Sequence, residues 1–171
     1  DDSESRGLGD VYKRQVMDGE FMCEEMTARV PAIGGGNFIL LSKNRASCLS
    51  ACELAINVMS EIGNIITPFP GGVVRSGSKV GSKYKALIAS TNDAFCPSLS
   101  GITGSKLHKS VNCVMEIVIN GLTKEDIDKG IRDSLIAISK SKYKKDIVSV
   151  SAGNYGGKLG PHHFHLRKIL K

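Results

Sequence analysis

Val111, Cys113, Met115, Ile117 and Ile119 take every second position along one stretch, with Asn112, Val114, Glu116, Val118 and Asn120 between them. Both faces are apolar at the centre, which predicts an interior strand over 111–120 rather than an edge strand with one wet face. The period then changes. Thr123 with Asp126 three residues on forms a capping-box pair, and Ile127, Ile131, Leu135 and Ile138 recur at the spacing of one helical face. A second pair of elements lies upstream. Residues 38–41 are a short apolar run and predict a buried strand. Asn44 is placed to cap a helix running to about 62, with Leu49, Cys52, Ile56 and Met59 as its stripe and Gly63 as its stop. Two further extended segments are expected at 16–23, weakened by Gly19, and at 147–150, with a last extended piece near 163–166. Between 65 and 110 the chain reads as turns and loops crowded with Pro68, Pro70, Gly71, Gly72, Gly77 and Gly81. Strand, helix, irregular segment, strand, helix, strand is the split βαβ order. It predicts an α+β fold, a ferredoxin-like sandwich lobe with long glycine-rich loops.

The chain has 171 residues, enough for one domain, and at 41% hydrophobic it can bury a core. No apolar run approaches the length of a membrane-spanning helix, and no leader-like apolar stretch follows the acidic first residues. The net charge is +6, but the Lys and Arg residues are mostly scattered. The densest run, Lys140, Lys142, Lys144 and Lys145, reads as a solvated helix end, where cations suit the helix dipole. Four Tyr, five Phe and no Trp offer little for base stacking, so nucleic acid is a poor partner, whereas an anionic small molecule suits the basic excess. The cysteines (Cys23, Cys48, Cys52, Cys96 and Cys113) are odd in number and contain no Cys-x-x-Cys pair. They read as free thiols in a reducing cytoplasm, with Cys48 and Cys52 as small core residues. Residues 1–15, DDSESRGLGDVYKRQ, show no structural period and resemble translated sequencing-adapter read-through. They are expected to be non-native and to pack on nothing, leaving 16–171 as the folded lobe of a longer protein.

Glu116 is the first candidate for chemistry. It sits mid-strand with Val114 and Val118 as same-face neighbours, where desolvation favours the neutral carboxyl group and equips it to donate a proton. Its bland reading is a structural carboxylate, wet at an edge or paired with a lysine. Residues 68–84, PFPGGVVRSGSKVGSKY, combine glycines that admit a ligand close to the backbone with Ser76, Ser78 and Ser82 and the cations Arg75, Lys79 and Lys83. That mixture suits an anion, although the Walker spacing is absent. The tail SAGNYGGKLG has the same character around Asn154 and Lys158, and STNDAFCP contributes Ser90, Thr91, Asn92, Asp93 and Cys96. Cys96 lacks a recognisable triad partner and reads as a buried hydrophobe. His162, His163 and His165 lack an acidic neighbour in sequence and point to both faces of an extended segment, so they make a poor metal set.

The segments GEFMCEE, GGGNFILLS, ITPFPGGVVRSGSKVGSKYK, ASTNDAFCP, VMEIVINGL and SAGNYGGKLG follow one another in this order. Together they resemble the C-terminal (distal) lobe of formylmethanofuran:tetrahydromethanopterin formyltransferases, with the formyltransferase subunit of the bacterial formyltransferase/hydrolase complex fitting nearly as well. The resemblance covers 16–171. It implies a cytoplasmic enzyme of two similar α+β lobes that assembles into dimers or tetramers. It implies transfer of a formyl group between the amine of methanofuran and N5 of tetrahydromethanopterin. These two coenzymes would be substrates, with no permanently bound cofactor, no metal and no covalent formyl-enzyme. The family's catalytic glutamate falls in the motif matching MEIVING, which carries over to Glu116. The resemblance places substrate binding on the glycine-rich loops, at Pro70, Gly71, Gly72, Ser76, Gly77, Ser78, Lys79, Ser90, Thr91, Asn92, Asn154 and Lys158. Two other readings stay open: a non-catalytic lobe binding an anionic pterin or nucleotide-like ligand, and a scaffold lobe supplying oligomer contacts.

Overall fold

A computed structural model of the chain describes residues 11–24, 29–76, 85, 92–102, 104–153 and 160–171. It divides into two compact units, Asp1–Pro31 and Ala32–Lys171.

In the first unit, β1 (Val11–Val16) pairs antiparallel with β2 (Gly19–Glu24) across a two-residue turn, with Val11 opposite Glu24 and Val16 opposite Gly19. Gly19 supplies a positive φ of 124°, which a side chain would resist. Lys13 and Glu20 form an exposed ion pair across the hairpin, 2.7 Å apart. This corrects the expectation for residues 11–15. They do not pack on nothing, because they form one arm of a hairpin whose other arm begins where a single strand over 16–23 was expected.

The second unit carries an antiparallel sheet with two helices packed on one face. Its elements are β3 (Ile33–Ser42), α1 (Arg45–Ser60), β4 (Ile65–Ile66), β5 (Val74–Arg75), β6 (Cys113–Gly121), α2 (Lys124–Lys140), β7 (Ile147–Ser151) and α3 (Leu166–Ile169). The strand order is β4-β6-β3-β7, with β5 also pairing with β6. β3 and β6 are interior and register with Ile39 opposite Glu116 and Phe38 opposite Ile117. Short elements and turns fill the described part of 65–110, as its glycines and prolines predict. The last extended piece ends sooner than expected, because α3 begins at Leu166.

Both helices start where the caps place them. Asn44 accepts from the Ser47 N–H at 2.8 Å. Thr123 and Asp126 make both hydrogen bonds of the capping box. All four residues of the expected α2 stripe are buried. In α1 the stripe turns further round the helix than expected. Cys48, Ala51, Cys52, Ala55 and Met59 are buried, whereas Leu49 is 37% exposed. The helix ends at Ser60, before Gly63.

The sheet has two apolar faces. One carries Phe38, Leu40, Ile117 and Ile119 against the two helices. The other carries Ile39, Leu41 and Val114 against Val111, Phe95 and Leu107 of the connection before β6. The chain covers part of this second face with its own long loop.

Candidate functional site around Glu116

β6 places Glu116 on the second face. Met115 and Ile117 point into the helix-side core, so strand alternation turns Glu116 the other way. Its position opposite Val74 of β5 and Ile39 of β3 puts it inside the sheet, and only 7% of it is exposed. Burying a charged or polar group without partners is costly, and here the partners are two amides. Asn37 Nδ2 donates to Oε1 at 2.5 Å, and Asn92 Nδ2 donates to Oε2 at 2.8 Å. The position is not an edge, because β6 is paired on both sides, and among the described residues the carboxyl group has no lysine partner.

Each asparagine is itself fixed. Asn37 Oδ1 accepts the Gly153 N–H at 2.8 Å, and this settles which end of the amide faces the carboxyl group. The Asn92 carbonyl accepts from Ser76 Oγ at 3.2 Å, while the Ser76 N–H donates to Val114 O at 3.3 Å. Ser76 therefore ties the segment carrying Asn92 to β6 beside Glu116. Gly153 must approach closely, because a Cβ there would lie 2.3 Å from Asn37 Nδ2 and 3.1 Å from Asn92 Oδ1.

Glu116 and Asn37 line a cavity of about 460 Å³ whose walls also include Gly34, Gly35, Val118 and His162. That volume is in the range of small-molecule sites, and the mixture of apolar wall and few polar groups is typical of them. Each carboxyl oxygen uses one of its lone pairs on an amide and keeps another. The arrangement can thus hold the carboxyl group in one orientation and still let it accept, hold or deliver a proton.

The expected site residues separate into three groups. Glu116 and Asn92 come together in one hydrogen-bonded network, braced by Ser76, whose hydroxyl is used inside the protein. Pro70, Gly71 and Gly72 form a 3₁₀ turn and are not among the residues lining the cavity beside Glu116. Gly72 is buried there because a Cβ would meet Ile56 of α1 at 2.8 Å. Gly77, Ser78, Lys79, Ser90, Thr91, Asn154 and Lys158 lie outside the described residues. Cys96 is buried, with its thiol 3.2 Å from Ser98 Oγ. Among the described residues no three His, Cys, Asp or Glu side chains are grouped to hold a metal ion, and no helix is long and apolar enough to cross a membrane. Sequence reasoning missed Asn37, Gly153 and His162 as parts of this site. The available signal was Asn37, an amide two residues before Ile39 on the same strand face.

The family model described as "FTR, proximal lobe" matches residues 19–169. The chain belongs to the FTR family. The matched lobe is the proximal one, where the sequence reading had named the distal. The chain is 59% identical over 159 residues to formylmethanofuran–tetrahydromethanopterin formyltransferase of Methylobacillus flagellatus, covering 93% of this chain and 53% of the relative. It resembles the crystal structure of the formyltransferase/hydrolase complex from Methylorubrum extorquens in complex with methylofuran, with a TM-score of 0.73 and 46% identity, covering 94% of this chain and 53% of that one. The formyltransferase structure from Methanosarcina barkeri matches with a TM-score of 0.71 and 42% identity, covering 93% of this chain and 53% of that one. The chain thus spans about half the length of the FTR relatives it matches.

Proposed function

We propose that this chain is one lobe of a formyltransferase that moves a formyl group between methanofuran and N5 of tetrahydromethanopterin, with Glu116 as its proton-handling group. The observation that carries the reading is a buried carboxyl group, fixed by two amides and opening onto a small-molecule cavity, in a chain of the FTR family. In the reaction the attacking amine adds to the formamide carbon, a C–N bond forms, and negative charge develops on the formyl oxygen. Collapse breaks the other C–N bond. The proton lost by the attacking nitrogen must reach the leaving nitrogen, and Glu116 takes it from one and delivers it to the other. In its protonated form Glu116 also hydrogen-bonds the developing oxyanion. Asn37 and Asn92 keep the carboxyl group in place while its charge changes.

The same reading extends to the rest of the enzyme. The strand order β4-β6-β3-β7 supports assignment of the lobe to the ferredoxin-like split βαβ class. Residues 1–15 are a non-native segment, and 16–171 are one of two similar lobes. The glycine-rich loops, including Gly77, Ser78, Lys79, Ser90, Thr91, Asn154 and Lys158, are proposed as binding residues for the two coenzymes because their sequence joins glycines, hydroxyls and cations. Neither coenzyme is permanently bound. The enzyme is a cytoplasmic homo-oligomer acting in one-carbon metabolism.

Glu116→Gln in the full-length protein tests the proposal. It keeps a hydrogen-bonding side chain and removes the transferable proton. Turnover is expected to fall by about a hundredfold or more, with KM changing far less, because the lost interaction matters mainly in the transition state. One observation favours the rival structural role: both carboxyl oxygens already have donors inside the protein. If Glu116→Gln turns over near the wild-type rate across the pH range, that rival is correct.

A further inference from the structure

A second cleft, of about 500 Å³, lies at the edge of β6 and is lined by Arg45 and Leu49 of α1, Val73, Arg75, Pro97 and Met115, among others. It is separate from the Glu116 site. Arg75 stands opposite Met115 in the β5–β6 ladder, whereas Val74 stands opposite Glu116. Successive strand residues point to opposite faces, so Arg75 is turned to the helix side.

Among the described residues no carboxylate lines this cleft. Lys13, Lys124 and Lys129 are each paired with an acid, but neither Arg45 nor Arg75 has an acidic partner among the described residues. Arg45 sits in the first turn of α1, whose own sequence holds no acidic residue there; Asp146 reaches that turn through Ser47 but does not line the cleft. Arg75 is already oriented, because its Nη2 donates to Ser98 Oγ at 2.9 Å. Two guanidinium groups offer planar arrays of donors suited to carboxylate or phosphate oxygens. Leu49, Val73, Pro97 and Met115 give the cleft an apolar wall that a bare inorganic ion would leave unused.

We propose that this cleft binds a small organic dianion, with its negative groups on Arg45 and Arg75 and an apolar body against Leu49 and Met115. The inference is independent of the formyl-transfer reading.

The test is a titration of the full chain followed in ¹H–¹⁵N correlation spectra, with phenyl phosphate, glutarate, inorganic phosphate and benzyl alcohol as probes. Saturable shifts are expected at the Arg75 side chain and at the Ser98 and Cys113 amides with phenyl phosphate and glutarate. Inorganic phosphate should bind more weakly and benzyl alcohol should not saturate. Arg45→Ala and Arg75→Ala should each weaken binding about tenfold or more, the scale of one charged hydrogen bond. Glu116→Gln should leave the binding unchanged. If Arg75→Ala loses its folded circular-dichroism signal, Arg45→Gln alone decides, since that exposed side chain has no hydrogen-bond or ion-pair partner among the described residues. Absence of saturable shifts with either organic dianion, or shifts that survive loss of Arg45, would overturn the proposal.

Discussion

Replacing Gly153 by Ala tests the Glu116 network at its tightest point. The added methyl would sit 2.3 Å from Asn37 Nδ2, so something must move by about 1 Å to reach ordinary contact. The atom in the way is a short amide held at both ends, not the tip of a flexible chain. If the amide yields, the hydrogen bond to Glu116 and the one from the Gly153 N–H go together. A hydrogen bond to a charged group contributes about 1.5–3 kcal/mol and a neutral one about 1 kcal/mol. Reduced freedom of the unfolded chain returns about 0.4–1 kcal/mol on a Gly→Ala change. The expected net destabilisation is about 2 kcal/mol or slightly more, read by urea unfolding. Asn37→Ala is the control, because it clears the space and removes the bonds beforehand. In that background Gly153→Ala should be nearly neutral, giving a coupling of about 2 kcal/mol in the double-mutant cycle. A Gly153→Ala variant within about 0.5 kcal/mol of wild type, or strictly additive effects, would refute the network as described.

Two solution measurements probe other parts of the chain. The Ser47 hydroxyl, 2.6 Å from Asp146, is the main cause holding the Asp146 carboxyl below its usual range. This contribution to stability is present above the unfolded-state pKa and is lost as pH falls through the lower folded-state value. Ser47→Ala should raise the Asp146 midpoint in a carboxyl-detected NMR titration, and an unmoved midpoint would show that the hydroxyl is not responsible. Burial first, and then the neighbouring Cys48, push the Cys113 thiol up to about 12, while Cys23 is exposed. Timed alkylation at pH 8, read by mass spectrometry, should modify Cys23 at least about tenfold faster than Cys113, since the thiolate is the reactive form. Equal rates would contradict that environment.

The sheet and its carboxyl group were legible because strand alternation is a local signal. Cys113 to Ile119 on one period placed Glu116 on the face opposite Met115 and Ile117, and the structure agrees; Val111, read as part of the same period, precedes β6 and packs on the second face instead. What holds Glu116 was not legible. Asn37 and Asn92 are 79 and 24 residues away in sequence, and no local pattern selects one amide over another. Register makes the choice. Ile39 stands opposite Glu116, so Asn37, two residues along the same face, is its diagonal neighbour and within reach of a long side chain. The cover over that face was missed for a related reason. The sequence of 92–111 has no period to read, and Phe95, Leu107 and Val111 reach the sheet only once the loop has folded back.

The displaced stripe of α1 shows a different limit. A 3.6-residue period ranks positions by how apolar they are, so it selected Leu49 over Cys48, Ala51 and Ala55. Packing against α2 ranks them by size instead. Ser134 of α2 donates its hydroxyl to the Ala55 carbonyl at 3.1 Å, a contact between one helix's side chain and the other's backbone that requires close approach. Gly130 of α2 makes room for β4 instead, since a Cβ there would meet Ile65 at 2.7 Å, whereas Met59 of α1 would be at an ordinary 3.7 Å. Small residues let the two backbones near one another, and a leucine at position 51 or 55 would force them apart. Leu49 then falls outside the helix interface and is left beside Arg45, one turn away on the same helical face, as an apolar wall of the second cleft. The feature that made the periodic reading wrong for the core is thus the one that supplies the cleft with its apolar side.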